Sequence, residues 1–222
     1  MLSSIDPTSK TEILFQLVSQ EISIGLQVQY LDLDLQFSSM LLHSPAFKLE
    51  HNIRNMQNFL RVYQPSEFGV VDAVIDVLSE SDLRDGGLIV LDSINTLQTL
   101  LRQKDDVTDS KKANHEAAIL VTLLQQIAQR YSKLLIITNV SRARPHSSEG
   151  SVSWAKEPVG GRMMRYKSGI LLTVLDKIQH EERHQNDRLG RHRDVKIDAI
   201  SENCKSNLPR DGILHFDLDS FT

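Results

Sequence analysis

The segment Ser4-Ile5-Asp6-Pro7-Thr8-Ser9-Lys10-Thr11 has the spacing of the phosphate-binding loop G-x-x-x-x-G-K-[ST], with serine at both glycine positions. In such a loop backbone N–H groups face an anion, the lysine reaches the terminal phosphates, and the hydroxyl holds Mg²⁺. Lys10 and Thr11 are the residue types for those two tasks, and Ser9 would complete the cradle. Ser4 and Ser9 suit it poorly, because glycine allows positive φ and close approach of a phosphate. A non-glycine residue held there costs about 1–2 kcal/mol per position. Only three residues precede the segment, too few for the central strand that such a loop normally follows, so that strand is expected to be missing. Taken alone, the segment reads more readily as an ordinary helix N-cap.

Three other positions change its weight. LIVLDS (Leu88 to Ser93) is an apolar run ending in Asp92, the form of a strand whose carboxylate holds the water shell of Mg²⁺. LIITN (Leu135 to Asn139) ends in an amide that could sense a terminal phosphate, and Tyr30 to Asp34 ends in a carboxylate that could orient an attacking water. Each is unremarkable by itself, since polar residues commonly end buried strands. In this order and at these separations they describe a nucleotide-binding core.

The elements that must position these residues follow from periodicity. Apolar residues at Ile13, Leu14, Leu17, Val18 and Ile22 have helical spacing from Thr11 to about Leu26, with Gly25 as terminator. VQYLDLDL (Val28 to Leu35) alternates like a half-buried strand. Residues 46–58 are amphipathic, FLRVY (Phe59 to Tyr63) is a short strand, and helical spacing returns from Phe68 to Leu83. Asp85-Gly86-Gly87 makes a turn before the buried-type strand LIVLD. A longer helix is predicted from about Asn114 to Tyr131, then a second buried-type strand, KLLIITNV (Lys133 to Val140). A polar stretch follows, then the strand ILLTVLD (Ile170 to Asp176). DVKIDAIS (Asp194 to Ser201) and GILHFDLD (Gly212 to Asp219) close the chain as an antiparallel pair. Strands alternate with helices to about residue 140 and then succeed one another. The predicted class is α/β, a mostly parallel sheet flanked by helices with a β-rich C-terminal edge.

Composition is that of a globular chain: 222 residues, 40% hydrophobic and 24% charged, with 10 glycines and 6 prolines. That length without an internal repeat or low-complexity linker predicts one domain spanning residues 1–222. The single cysteine, Cys204, excludes an internal disulfide and suits a reducing compartment, and neither a membrane span nor a signal peptide is legible. The net charge of −4 hides an asymmetry: Lys and Arg number 11 against 17 acidic residues in 1–140, but 11 against 6 in 141–193. One contiguous segment therefore carries a local positive field within an acidic chain.

The blocks KTEILFQL, YLDLDLQF, FLRVYQPS, LIVLDSINTL, LLIITNV and WAKEPVGGRMMRYKSGILLTV resemble the successive blocks of RecA/RadA-type recombinases, specifically their eukaryotic paralogues. The resemblance runs from Ser4 to about Asp219. It is nearest to the short X-ray-repair cross-complementing type, which also lacks an N-terminal helical domain, and next to the RecA-like subunits of Shu mediator complexes. It implies a RecA-like P-loop core with Lys10 and Thr11 at the phosphate and Mg²⁺ positions and Asp92 as the second Mg²⁺ position. It also implies Asn139 at the sensor position and Asp34 as a weakened catalytic position, where active recombinases have glutamate. Ser4, Ser9, Asp34 and the absent strand depart from the family pattern, and all bear on nucleotide chemistry. The expectation is an ATP site that binds nucleotide and Mg²⁺ weakly or not at all.

In such proteins the second DNA-facing loop follows the sensor strand. Here that stretch holds Arg142, Arg144, Lys156, Arg162 and Arg165, with the only tryptophan, Trp154, among them. Cations neutralise phosphates, and an indole stacks on an unpaired base for about 1–3 kcal/mol, so single-stranded DNA bound without sequence preference is the expected ligand. The family implies an accessory role in homologous-recombination repair, in the nucleus. Its partners would be other recombinase paralogues or a SWIM-domain protein, together with the recombinase filament. An active DNA-dependent ATPase of the same family and a structural subunit of an Elongator-type RNA-modification complex are the competing readings. His180-Glu181-Glu182-Arg183-His184 matches the zinc motif H-E-x-x-H, but it lies in a stretch charged on every side, so no zinc site is expected.

Overall fold

A computed structural model describes residues 2–4, 7–43, 58–64, 69–79, 86–104, 110–148, 151–158, 170–174, 192–200 and 213–217. In chain order the described elements are β1 (Leu2–Ser4), α1 (Pro7–Ser23), β2 (Val28–Asp32), α2 (Gln36–His43), β3 (Leu60–Tyr63) and α3 (Gly69–Ser79). There follow β4 (Leu88–Asp92), α4 (Ile94–Lys104), α5 (Ser110–Arg130), β5 (Leu134–Ser148), β6 (Ser151–Pro158), β7 (Ile170–Val174), β8 (His192–Ile200) and β9 (Ile213–Asp217).

The strands form one sheet in the order β3-β2-β4-β5-β1-β7-β8-β9, with β6 paired to β5. From β3 to β7 the pairing is parallel, and β7-β8-β9 is antiparallel. The predicted fold class is therefore the one observed, and so is the antiparallel C-terminal pair.

The expected absence of a first strand is overturned. Leu2–Ser4 is a strand, parallel to β5 on one side and to β7 on the other. Three residues are enough because both flanking strands supply hydrogen-bonding partners, a condition that chain periodicity cannot reveal. Leu2 is buried, and it belongs to the core beneath α1.

Two apolar layers cover the sheet. On one face Ile13, Leu14, Phe15 and Val18 of α1 and Phe37 of α2 pack on Val28, Tyr30, Leu88 and Val90. On the other, α3, α4 and α5 bring Val74, Leu97, Leu101, Val121 and Leu124 onto Leu31, Ile89, Leu91 and Ile137. Alternate residues of each central strand therefore serve opposite layers, and burial of each large aliphatic side chain contributes roughly 1.5–3 kcal/mol. Strand β2 reads as half-buried in sequence, yet all five of its residues are buried because helices lie on both sides. Its polar members are only partly satisfied: Asp32 Oδ2 accepts from Ser38, while Asp32 Oδ1 and Gln29 Oε1 are buried and accept no hydrogen bond among the described residues.

Helix α1 ends as predicted. Gly25 takes φ +80°, its N–H donates to the Ile22 carbonyl, and the Leu26 N–H donates to Glu21, a Schellman closure that favours glycine. At Gly87 (φ +94°) an added Cβ would lie 2.1 Å from the Gln27 carbonyl oxygen, so β2 and β4 start where only glycine fits. Helices α2 and α4 are additional to those predicted, although Ile94, Leu97 and Leu101 of α4 stand at helical spacing and are buried. The amphipathic residues 46–57 lie outside the described set.

Candidate functional site

Parallel pairing in register places Asp32 beside Asp92 at the C-terminal ends of β2 and β4, the edge at which open α/β sheets bind ligands. The chain enters this edge again at the start of α1. Only residues 5 and 6 separate β1 from that helix, which Pro7 opens, a position where its missing N–H is no loss. Ser9, Lys10 and Thr11 are consequently helical and buried. The strain expected at Ser9 does not arise, because a helix replaces the loop that would have imposed positive φ.

Lys10, Asp34 and Asp92, picked from three separate segments, meet. The Lys10 ammonium donates to Asp34 Oδ2 at 2.9 Å and also to Asp92 Oδ1, and its side chain is 1% exposed. Asp92 also accepts from the Tyr30 hydroxyl (2.7 Å to Oδ2) and from Thr138 Oγ1 (2.6 Å to Oδ1). Asp34 Oδ1 accepts from Ser93 Oγ at 3.0 Å and from the Thr96 hydroxyl. The Asp92–Ser93 peptide bond, which joins these two halves of the network, is cis.

The electrostatics follow from this geometry. Burial alone would lower the Lys10 pKa, but Asp92 and Asp34 outweigh it and hold it above the ordinary lysine value of 10.5. Burial alone would raise the Asp34 carboxyl, and Lys10 with the Thr96 and Ser93 hydroxyls brings it below the usual range. Asp32 goes the other way. Burial raises it, only partly offset by bonds from Ser38, whose N–H and Oγ donate to Oδ2 at 2.7 and 2.5 Å. Among the described residues Asp32 Oδ1 is buried with no hydrogen-bond partner. Burial, then Asp92, pushes the Tyr30 phenol well up, so Tyr30 acts as a donor only.

Local packing sets these groups. Tyr30 stacks on Phe37 with ring centroids 3.9 Å apart, and Phe37 meets Phe15 at 5.9 Å, which aims the Tyr30 hydroxyl at Asp92. The Ser38 hydroxyl accepts from Gln64 Nε2 at 2.7 Å and so ties the end of β3 to α2 and β2. Asn95 Oδ1 accepts from the Val140 N–H at 2.8 Å, fixing α4 against β5. Asn139, the expected sensor, is buried on β5 in register with Ser3 of β1. The Thr11 hydroxyl, at the expected Mg²⁺ position, donates to Gln36 Oε1 at 3.2 Å. A cleft of about 430 Å³ opens between α1 and α2, lined by Thr8, Thr11, Leu35, Gln36, Ser39, Met40 and His43. Lys10 does not line it. Lys10 donates to Asp34 and Asp92, and Asp92 accepts from Tyr30 and Thr138 as well, so a phosphate or Mg²⁺ would have to share these groups with the chain's own partners.

Tyr30, Thr138, Ser93 and Thr96 belong to this network and were invisible in sequence. Hydroxyls at strand ends and helix starts are commonplace, and only the β2–β4–β5 register brings these together.

The basic stretch is not a loop at its start. β5 continues eight residues past Val140 and returns as β6, pairing Arg142 with Glu157, Ala143 with Lys156, Arg144 with Ala155 and Pro145 with Trp154. At about 3.3 Å per residue the eight residues of this extension span about 25 Å. Arg162, Arg165 and the motif from His180 to His184 lie outside the described residues. Among the described residues no helix is long and apolar enough to cross a membrane, and no group of three or more His, Cys, Asp or Glu is placed to hold a metal ion.

No protein-family model matches the sequence, and no curated protein matches it. Solved structures do. The RadB recombinase superposes with a TM-score of 0.61 at 16% identity, over 97% of this chain and 86% of that one. A KaiC-like protein from the hyperthermophilic archaeon Pyrococcus horikoshii gives 0.58 at 14% identity, over 97% and 87%. With its parallel sheet between two helical layers and its site at the strand ends, this chain has a RecA-like fold.

Proposed function

We infer that this chain is an accessory recombinase paralogue, of the short X-ray-repair cross-complementing or Shu-subunit type. It works in the nucleus in a heteromeric assembly that supports recombinase filaments on single-stranded DNA. Nucleotide turnover is not its task. One observation carries this reading: in a RecA-like core, the lysine that would grip a phosphate is fully buried and ion-paired with the chain's own Asp34 and Asp92. A hydrolytic centre needs that lysine on the substrate and a carboxylate free to orient water. Here both are spent on each other, while the sheet and both helical layers are kept.

The retained scaffold offers two surfaces for assembly work. Other recombinase paralogues or a SWIM-domain protein would meet the RecA-like core, and the β5–β6 hairpin with Arg142, Arg144, Trp154 and Lys156 would meet single-stranded DNA. Backbone-directed contacts of this kind tolerate any sequence and weaken with salt.

The test combines hydrolysis and binding on the purified chain, alone and with its co-purified partners. Phosphate release with single-stranded DNA present should not exceed that of an Asp92→Asn variant; a rate that disappears in that variant overturns the reading. Charge reversal at Arg142, Arg144 and Lys156 should weaken single-strand binding and flatten its dependence on salt between about 50 and 200 mM. Unchanged binding and slope would remove the hairpin from the interface.

A further inference from the structure

Three carboxylates and one lysine converge at the strand ends, but they are not equivalent. Asp92 is deep: it is fully buried at the end of β4 and held by Tyr30 and Thr138 in addition to Lys10. Asp34 is the outer partner. It sits in the turn after β2 with a side chain 14% exposed, next in sequence to Leu35 and Gln36, which line the cleft between α1 and α2. Its other oxygen is gripped by Ser93 and Thr96, at the N-terminal turn of α4, where the helix dipole favours an anion.

The geometry points to Asp34 as an internal anion that holds Lys10 in place of a phosphate-bearing ligand, with Thr96 and Ser93 as the residues that keep it there. This rests on reading residues 4–11 as a remnant phosphate site, and it adds what regulates that site. An oxyanion entering the cleft meets the hydroxyls of Thr8 and Thr11, but it must compete with two carboxylates for the lysine. It also brings negative charge to a cation already matched by two. Affinity for phosphate is therefore set less by the two serines than by the strength of the Asp34 clasp. Loosening the clasp, by substitution or by a partner that pulls the turn at Leu35 outward, should expose the lysine.

The experiment is a binding titration on the chain by calorimetry, with MgADP and magnesium pyrophosphate as probes, on wild type, Asp34→Asn and Thr96→Val. Asp34→Asn should bind both probes at least about tenfold more tightly than wild type, the size expected when one charge-assisted competitor is removed. Thr96→Val keeps the carboxylate but loses one of its two hydroxyl donors, and should give a smaller gain of about threefold. The gain must vanish in the double variant Lys10→Met/Asp34→Asn if the lysine is what was released.

Asp34→Asn binding no tighter than wild type overturns the proposal, and so does a gain that survives without Lys10. Circular dichroism establishes that each variant is folded. Should Asp34→Asn not fold, Thr96→Val decides, and no gain there refutes the clasp. Hydrolysis by the wild type would sink the accessory-subunit reading and leave this inference standing, whereas an unimproved Asp34→Asn would do the reverse.

Discussion

Lys10→Met is the perturbation that most directly measures what holds this core. Methionine keeps the unbranched stem that packs beneath α1 and removes only the charge and its donors. The variant strands Asp34 and Asp92 without their cation, in a site where the lysine side chain is 1% exposed and Asp92 is not exposed at all. Removing one member of a buried pair costs about 3–5 kcal/mol. The donors left on the carboxylates, Tyr30 and Thr138 on Asp92, Ser93 and Thr96 on Asp34, favour the lower part of that range. For a chain of this length about 2–4 °C accompanies each kcal/mol, so Tm should fall by roughly 6–15 °C. Urea unfolding followed by two probes gives the free energy, and coincident transitions license a two-state treatment.

A cycle with Asp34→Asn isolates the contact, and a coupling of about 1–3 kcal/mol is expected between groups in direct contact. The pH profile adds a second check. Asp34 lies below its ordinary value in the folded chain, so its contribution is present above about pH 4 and is lost as pH falls through the folded value. Lys10 lies above its ordinary value, so its contribution persists through neutrality and is lost only as pH rises past 10.5 and through the folded value. The Lys10→Met deficit should thus be flat from about pH 5 to 9 and shrink toward either extreme. Lys10→Met within 1 kcal/mol of wild type at pH 7, with no coupling to Asp34, would refute the view that this lysine is a structural cation.

Three further outcomes are expected. Asp32 is raised by burial and its Oδ1 lacks a donor, so its charge is a cost at neutral pH that protonation relieves. Asp32→Asn should equal or exceed wild-type stability at pH 7, and that advantage should narrow as the buffer is acidified through the range just above pH 3.8; an advantage that grows on acidification contradicts the assignment. Gly87→Ala should cost well over 3 kcal/mol or prevent folding, while Gly25→Ala, equally left-handed but with open space around the added carbon, should cost only about 1 kcal/mol; comparable melting points for the two would dismiss the clash with Gln27. Leu35 is exposed and left-handed at φ +59°, so Leu35→Gly should raise stability by up to about 1 kcal/mol by releasing strain, and a loss larger than that would mean the leucine packs on something.

How far the molecule was legible in its sequence depended on which force acts. LIVLD declares itself because burial on both faces demands an unbroken apolar run; KLLIITNV has such a run although Leu134 is exposed and Leu135 and Ile136 are half-buried. Lys10, Asp34 and Asp92 stood out by their order along the chain. β1 was not legible, since its three residues are a strand only by virtue of β5 and β7 beside them. The same is true of β5 beyond Val140, where Arg, Pro, His and Ser show no alternation and the return strand β6 supplies the pairing. Thr96 and Tyr30 were missed for another reason. Their roles exist only after β2 and β4 align Asp32 with Asp92, and a hydroxyl carries no mark in sequence of the carboxylate it will meet.

The two serines therefore act differently from what glycine replacement ordinarily implies. A serine forced into a loop that requires positive φ would strain that loop and leave it in place. Here Pro7 and the residues after it propagate α1 backward almost to β1, and Lys10 is swept into the helix's first turn and under the sheet edge. A buried ammonium without a counter-ion is intolerable in a stable core, so the lysine must find carboxylates, and the strand ends provide two. Entry of residues 7–11 into α1 and closure of the ion pairs go together. Restoring glycine at residues 4 and 9 alone should not restore a phosphate site, because Asp34 would still hold the lysine; the glycines should add to phosphate affinity only in the presence of Asp34→Asn, which improves binding by itself.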